Sequence, residues 1–161
     1  MASGGGYRYR LCPATETPKR PHRGKQPFAN RTMFAAGRHF MTTEPIIELP
    51  EFDTGQYEDC EFIMSGGDAR LTVLLSGLPA FKIGFSRVRW HQFTALPNCG
   101  AELIEGAYFR LVELRNSSAL AEFIEGDTAT AKAYRELHHY RIFLDETGCH
   151  ELFAQSAHRL A

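Results

Sequence analysis

Side chains that could bind a metal or act as nucleophiles are densest near the C-terminal end of this chain. Six of them lie between positions 138 and 158: His138, His139, Asp145, Cys149, His150 and His158. Imidazole, thiolate and carboxylate groups are the ligands that zinc takes in proteins, and a hairpin here would bring His139 near the strand that begins at Cys149. The spacing argues against a metal, because no CxxC, HxxxH or HExxH motif occurs and neighbouring residues on a strand point to opposite faces. We therefore expect no metal and no cofactor, and the weak candidates are His139, Asp145 and Cys149.

Cys149 also raises a catalytic hypothesis. A nucleophilic cysteine needs a base within hydrogen-bond distance and surroundings that lower its pKa. The sequence shows neither, so we expect an unreactive thiol. An enzyme that uses the residues of this hairpin is the alternative function.

A second group of candidates lies in the middle of the chain, where Arg87, Arg89 and His91 alternate with Val88 and Trp90. If this stretch is a strand, the two arginines and the histidine share one face, which could contact phosphates or an acidic protein surface. The acidic character of the surrounding sequence would repel a polyanion. We expect an ordinary solvent-facing side of a strand and keep these three residues as candidates for binding.

Acidic residues are concentrated a little earlier, and two of them, Glu58 and Asp59, are the strongest candidates for binding. The full group is Glu51, Asp53, Glu58, Asp59 and Glu61. Such a group is either a solvated edge or a surface that attracts a basic partner and accelerates its encounter. The spacing does not place any two carboxylates together for acid–base catalysis.

The charge of the chain changes sign at Met41. Residues 1–40 contain eight Arg or Lys against one acid, whereas the residues from Met41 onward contain ten against eighteen, a net charge of −8. Glycine, proline and few aliphatic side chains in residues 1–40 predict a disordered basic tail. Three further explanations stay open: a misassigned start with Met33 or Met41 as the true one, a basic arm for nucleic acid, and a targeting peptide.

Cysteine usage and hydropathy restrict the compartment. Cys12, Cys60, Cys99 and Cys149 are far apart and no secretory segment precedes them, so we expect a reduced, cytoplasmic protein without a disulfide framework. The longest apolar run, residues 71–78, is far shorter than the roughly 18–20 residues of a membrane span.

Alternating apolar residues and turn signals predict strands, then a helix, then strands. The predicted strands cover residues 46–52, 70–75, 81–92 with a bend near Ser86–Arg87, 108–114, 140–144 and 151–154. A helix capped at 116–118 ends at Gly126, since Leu120, Phe123 and Ile124 repeat at helical spacing. Residues 128–137 form either a second helix or a loop.

The last of these strands carry a resemblance. The segment His139–Asp145 followed by Gly148–Ala154 resembles the C-terminal hairpin of small uncharacterised bacterial proteins, in which a Tyr-Phe strand and a Ser-capped short helix also come first. The resemblance covers roughly residues 107–156. Some acidic proteins of this kind act as immunity proteins for toxins, and no functional residue carries over from them.

Together these patterns predict a single α+β domain over residues 41–161. Its antiparallel sheet would carry one or two short helices on one face and end in a C-terminal β-hairpin. The function predicted is that of a non-catalytic protein-binding, immunity or regulatory module with a basic protein partner. We expect no membrane, and nucleic acid only through the tail. The oligomeric state is left open.

Overall fold

Two antiparallel sheets form the fold of the residues that the computed structural model describes, 41–126 and 136–161. The strands are β1 (Thr42–Glu48), β2 (Tyr57–Ser65), β3 (Asp68–Leu75), β4 (Phe81–Ser86), β5 (Trp90–Ala95), β6 (Arg110–Arg115), β7 (His138–Leu144), β8 (Gly148–Ala154) and β9 (Ser156–Leu160). The helices are α1 (Ala101–Ile104) and α2 (Ser118–Gly126). One sheet has the order β1-β6-β7-β8-β5, and the other has the order β2-β3-β4-β9.

The main core lies between the two sheets. Leu71, Val73 and Ile83 of the four-stranded sheet pack in one cluster with Ile142 and Leu152 of the five-stranded sheet, and all five are 0% exposed. These residues occupy alternate positions of their strands, so one face of each sheet is apolar and covers the other. Burying each such side chain stabilises the fold by about 1.5–3 kcal/mol.

The other face of the five-stranded sheet is covered by the segment around α1. Val112, Phe143 and Cys149 form a second apolar cluster with Ala107, and Leu103 of α1 packs against it. The two central strands β7 and β8 are therefore buried on both faces. Burial on both faces also applies to their polar residues His139, Arg141, His150 and Glu151, which must therefore find partners inside the fold.

The chain passes between the sheets twice at one corner. Arg87, with φ of 51°, separates β4 of one sheet from β5 of the other, and Gln155 separates β8 from β9. Backbone hydrogen bonds from Arg89 to Phe153 (2.8 Å) and from Gln155 to Ser86 (2.9 Å) join the two crossings. The bend predicted near Ser86–Arg87 is present, and it is a change of sheet.

The described residues are mostly antiparallel sheet with two short helices, so the broad α+β class is correct although sheet dominates. The expectation of one sheet is wrong, because alternation identifies strands but not their partners. The strand β2, the helix α1 and the strand β9 were not predicted. β7 and β8 pair antiparallel, but the chain continues into β9, which belongs to the other sheet.

The predicted disordered tail, residues 1–40, and most of the predicted second helix, 128–137, lie outside the described residues. Within the described ranges, no helix is long and apolar enough to cross a membrane.

Candidate functional site

The three weak metal candidates lie apart and each has its own partner. Asp145 accepts a hydrogen bond of 2.6 Å from the Tyr108 hydroxyl, and the Cys149 thiol is directed at the backbone carbonyl of Leu103, 3.8 Å away. His139 pairs across the hairpin with Phe153, at the other end of β7 from Asp145. Among the described residues, no group of three or more His, Cys, Asp or Glu could hold a metal ion.

His139 belongs instead to a buried polar network on the outer face of the five-stranded sheet. Its Nδ1 lies 2.7 Å from Ser117 Oγ, and its Nε2 lies 3.3 Å from Glu151 Oε1 without the alignment of a hydrogen bond. Arg141 donates to the same Glu151 oxygen at 2.8 and 3.1 Å, and to the backbone carbonyl of Glu102 at 2.6 Å. Burial by itself would raise the pKa of Glu151, but its interactions with nearby His139 and with Arg141 outweigh burial and leave the pKa lowered.

The order serine, histidine, carboxylate in this network matches that of a hydrolytic triad. The surroundings of these residues indicate a structural role and not a catalytic one. Ser117 precedes α2 and its Oγ accepts the backbone N–H of Leu120 at 3.2 Å, which is the bond of a helix N-cap. Glu151 is already paired with Arg141, and Ser117 is only 8% exposed. The network therefore holds the start of α2 against β7 and β8.

Cys149 is buried at the base of the second apolar cluster. Burial, with the charge of Glu151 as the next cause, raises the pKa of its thiol to about 12. A thiol in this state is protonated and a poor nucleophile. Burial therefore leaves Cys149 without the lowered pKa that activates a nucleophilic cysteine.

The predicted face of Arg87, Arg89 and His91 does not form. The strand β5 begins only at Trp90, and Arg87 lies in the crossing between sheets, where its backbone N–H donates to Asp68 Oδ1 at 2.9 Å. His91 points between the sheets, where its ring stacks on that of Phe62 at 4.0 Å. The expectation of one shared face is wrong because Arg87 and Arg89 are exposed and precede β5, whereas His91 lies in β5 and points inward.

His91 is part of a cluster between β2, β5 and β8. Its Nε2 lies 3.1 Å from Nδ1 of His150, and Nε2 of His150 lies 3.7 Å from Sγ of Cys60. Burial lowers the pKa of His91, and burial together with the nearby His91 lowers the pKa of His150 to about 3. Burial also raises the pKa of the Cys60 thiol.

Such a cluster holds two neutral imidazoles and a protonated thiol at neutral pH. His150 is a weak base in this state and Cys60 a weak nucleophile, so the contacts do not assemble an activated Cys–His pair. Cys60 contacts Nε2 of His150 and His91 contacts Nδ1, so these two partners lie at opposite edges of the His150 ring. The cluster therefore supports packing of β2 against β5, which Phe62 completes by contacting both histidine rings.

The exposed residues beside this cluster are acidic. β2 is an edge strand, and Glu58, Asp59 and Glu61 on it are exposed; we call these three the acidic edge. None of the three makes an ion pair with any described residue. Phe62 of the same strand stacks on His91, which places β2 beside β5, and Glu61 points to the opposite face of β2 from Phe62.

Exposed apolar side chains adjoin the acidic edge. Ile63 and Met64 at the end of β2 are 41% and 53% exposed, and Phe93 of β5 is 45% exposed. Phe93 contacts the His150 ring at 4.8 Å, which places it beside the same cluster. The sequence pointed to the acids but not to these apolar neighbours. The side-chain contact between His150 and Cys60 spans 90 residues, and only the folded chain brings β2 next to β5.

Comparison with known proteins gives no match for this chain. It matches no protein-family model, no curated protein and no solved structure. The geometry of the described residues is therefore the basis for a proposed function.

Proposed function

We propose that the described domain is a non-catalytic binding module whose acidic edge docks on a basic protein surface. The observation that carries this proposal is that Glu58, Asp59 and Glu61 stand together, exposed and without a cationic partner among the described residues. Four other described carboxylates form ion pairs, among them Glu48 with Arg110 at 3.1 Å. Unpaired carboxylates attract basic surfaces and accelerate encounter with them.

Exposed apolar side chains near the acidic edge would add binding affinity to the attraction between charges. Interfaces gain most of their affinity from a few apolar or aromatic side chains that become buried, with charges around them. Ile63 and Met64 follow the acidic edge on β2, and Phe93 contacts His150, which lies beside Cys60 of the same strand. A partner that combines Lys or Arg with an apolar or aromatic side chain would fit both parts.

The acidic edge favours docking through side chains over addition of a strand. The pairing of β2 with β3 shifts register between Tyr57 and Asp59, which leaves Glu58 as a bulge. The Asp59 carboxylate accepts the backbone N–H of Cys60 at 2.7 Å. Both features interrupt the row of free backbone groups that an added strand needs.

A regulatory role follows from this mode of binding, since covering a basic surface prevents that surface from binding its own target. Immunity proteins that neutralise a toxin are one class with this action, and we propose it as the form that the role takes here. The alternative, an enzyme or metal protein built on His139, Asp145 and Cys149, has less support because these residues have separate partners.

The proposal is tested with the full chain and a panel of short Lys- and Arg-rich peptides, each made with and without aromatic side chains. The variant E58K/D59K/E61K should weaken binding at least about tenfold, since each exposed charge contact contributes up to about 1 kcal/mol. The matched control E105K/E122K/E125K changes net charge equally at exposed acids elsewhere and should stay within about twofold. NMR shifts should map to β2 and to Phe93.

Equal weakening by both triple variants would show that only net charge matters, and the proposal would fail. Shift changes confined to other strands would overturn it as well. Peptides with aromatic side chains should bind more tightly than those without, and loss of this difference in the variant M64S would assign the apolar contact.

A further inference from the structure

A thiol and an imidazole meet where the edge strand β2 packs against β8. Sγ of Cys60 lies 3.7 Å from Nε2 of His150. Cys60 forms no disulfide and is half-buried, whereas His150 is only 5% exposed. The sulfur can therefore be reached from solvent, and the imidazole beside it is fixed in the interior.

The separation of these two atoms is that of two ligands on one metal ion. Bonds from a metal to thiolate sulfur and to imidazole nitrogen are about 2.3 and about 2.0 Å long. An ion bonded to both atoms holds them about 3.5 Å apart at a tetrahedral angle and about 4.3 Å apart when the three atoms are in line. The observed 3.7 Å lies in this range, so an ion can replace the thiol proton between Cys60 and His150 without a shift of the strands.

The second nitrogen of the His150 ring is also held. Its Nδ1 lies 3.1 Å from Nε2 of His91. When the Cys60 thiol donates to Nε2 of His150, the ring carries its own proton on Nδ1 and donates it to His91. Histidines that bind metals usually donate their other N–H in this way, which orients the ring and makes the free nitrogen a better ligand. Phe62 stacks on both rings, at 4.0 Å from His91 and 5.5 Å from His150, and holds them in place.

The number and type of the ligands restrict the ion. Among the described residues, no group of three or more His, Cys, Asp or Glu can hold a metal, so this pair supplies two ligands. Zinc takes four protein ligands in structural sites and three in catalytic sites. Thiolate is a soft ligand that favours Cu(I), and Cu(I) is stable with two ligands.

We propose that Cys60 and His150 bind one Cu(I) ion, with His91 as a positioning residue. Cys60 releases its thiol proton to solvent, and its sulfur and Nε2 of His150 each donate an electron pair to the ion. Copper stays Cu(I), so no oxidant or reductant takes part. The proposal does not depend on docking at the acidic edge, because its ligands are a thiol and a buried imidazole and not the exposed carboxylates.

The test is a Cu(I) titration of the full chain in oxygen-free buffer against a coloured Cu(I) chelator, which gives the dissociation constant. C60S and H150Q should each weaken binding at least about tenfold, because one of two ligands is lost. The matched controls C12S, C99S and H158Q change the same residue types elsewhere and should stay within about twofold. One proton should be released for each ion bound.

His91 is tested by two variants that differ in hydrogen bonding. H91F keeps an aromatic ring against Phe62 but cannot accept the N–H of His150, and it should weaken Cu(I) binding about tenfold. H91Q offers an acceptor oxygen and should restore part of the loss. In wild-type protein with nitrogen-labelled histidine, Cu(I) should shift Nε2 of His150 and leave its Nδ1 protonated.

Unchanged Cu(I) binding in C60S would overturn the proposal, and so would equal weakening by C60S and C99S. Zn(II) alone should bind at least about a hundredfold more weakly, and equal binding of Zn(II) at the same two residues would contradict a site with two ligands. Cys60 is half-buried on an edge strand, so C60S tests the proposal even if H150Q is unstable. Retention of the wild-type Tm in each variant distinguishes lost binding from lost folding.

Discussion

Ser117 Oγ and His139 Nδ1 lie 2.7 Å apart, and this contact joins the start of α2 to the central strand β7. Both residues are buried, with exposures of 8% and 4%. Because Ser117 also accepts the N–H of Leu120, one hydroxyl group serves both the helix and the sheet. The position of α2 therefore depends on a residue that lies outside the helix.

Replacing Ser117 by alanine should lower the free energy of unfolding by about 1–3 kcal/mol, because it removes a helix cap and leaves the His139 ring without its hydroxyl partner. Urea unfolding measures the change. Ser118 is exposed and begins the same helix, so S118A should change the free energy by less than about 0.5 kcal/mol. Equal losses in the two variants would contradict the role given to Ser117.

Arg141 and Glu151 form a buried ion pair at 2.8 Å, with side-chain exposures of 7% and 11%. The variant R141M should lose about 3–5 kcal/mol, because it leaves a buried carboxylate without its cation. The double variant R141M/E151M should be more stable than R141M, since neither charge then remains buried alone. Urea unfolding of the singles and the double gives the coupling energy.

The exposed pair of Arg110 and Glu48 is the control for this prediction. Its side chains are 43% and 66% exposed, and R110Q should cost no more than about 1 kcal/mol. If R110Q destabilised the protein as much as R141M, burial would not explain the loss.

Stability should fall as the solution is acidified below about pH 6. The pKa of His150 is about 3 in the folded protein against an ordinary value of 6.5, so between these values the unfolded chain binds a proton that the folded chain does not. Unfolding is then favoured by up to about 1.4 kcal/mol for each pH unit below 6.5. Burial lowers the pKa of His91 as well, which acts in the same direction.

The variant H150Q should have a flatter dependence of stability on pH between 7 and 5 than the wild type. H158Q, at an exposed histidine, should keep the wild-type slope. Unfolding midpoints in urea at each pH measure both. A wild-type slope in H150Q would show that another group is responsible.

Gly148 begins β8 with φ of 140°, and a Cβ there would collide with the carbonyl oxygen of Thr94 and lie 3.0 Å from Ala95 Cα. G148A should therefore cost at least about 2–3 kcal/mol, because β5 cannot keep its pairing with β8 unchanged. Gly66 also has positive φ, at 62°, but has open space around it. G66A should cost only about 1 kcal/mol, and thermal unfolding compares the two.

Much of the strand content could be predicted because it depends on local pattern. Phe81, Ile83 and Phe85 alternate as predicted, and Ser117 lies next to the start of α2. The division into two sheets could not be predicted, since β4 pairs with β9 across more than 70 residues and no local signal records that pairing. The strand β2 was missed because its exposed edge carries acids and lacks the apolar alternation of a half-buried strand.

The candidate site could be predicted only in part, because contacts between strands that are distant in the sequence leave no local signal. The cluster of acids in the sequence suggested Glu58 and Asp59 as binding candidates, and both are exposed on β2. The inward position of His91 depends on the change of sheet at Arg87, and its contact with His150 depends on β5 pairing with β8. Sequence proximity suggested His139, Asp145 and Cys149 as a group, but strand geometry separates residues that lie close together along the chain.

The two crossings at the corner of the fold also determine when the protein can fold during its synthesis. β9 pairs with β4 and β8 pairs with β5, so each sheet is completed by a strand that follows α2 in the chain. A nascent chain that has reached α2 holds β4 with one side unpaired and β5 without any partner strand. Neither sheet can close before β8 and β9 have been synthesised, and pairing over such distances along the chain makes folding slow.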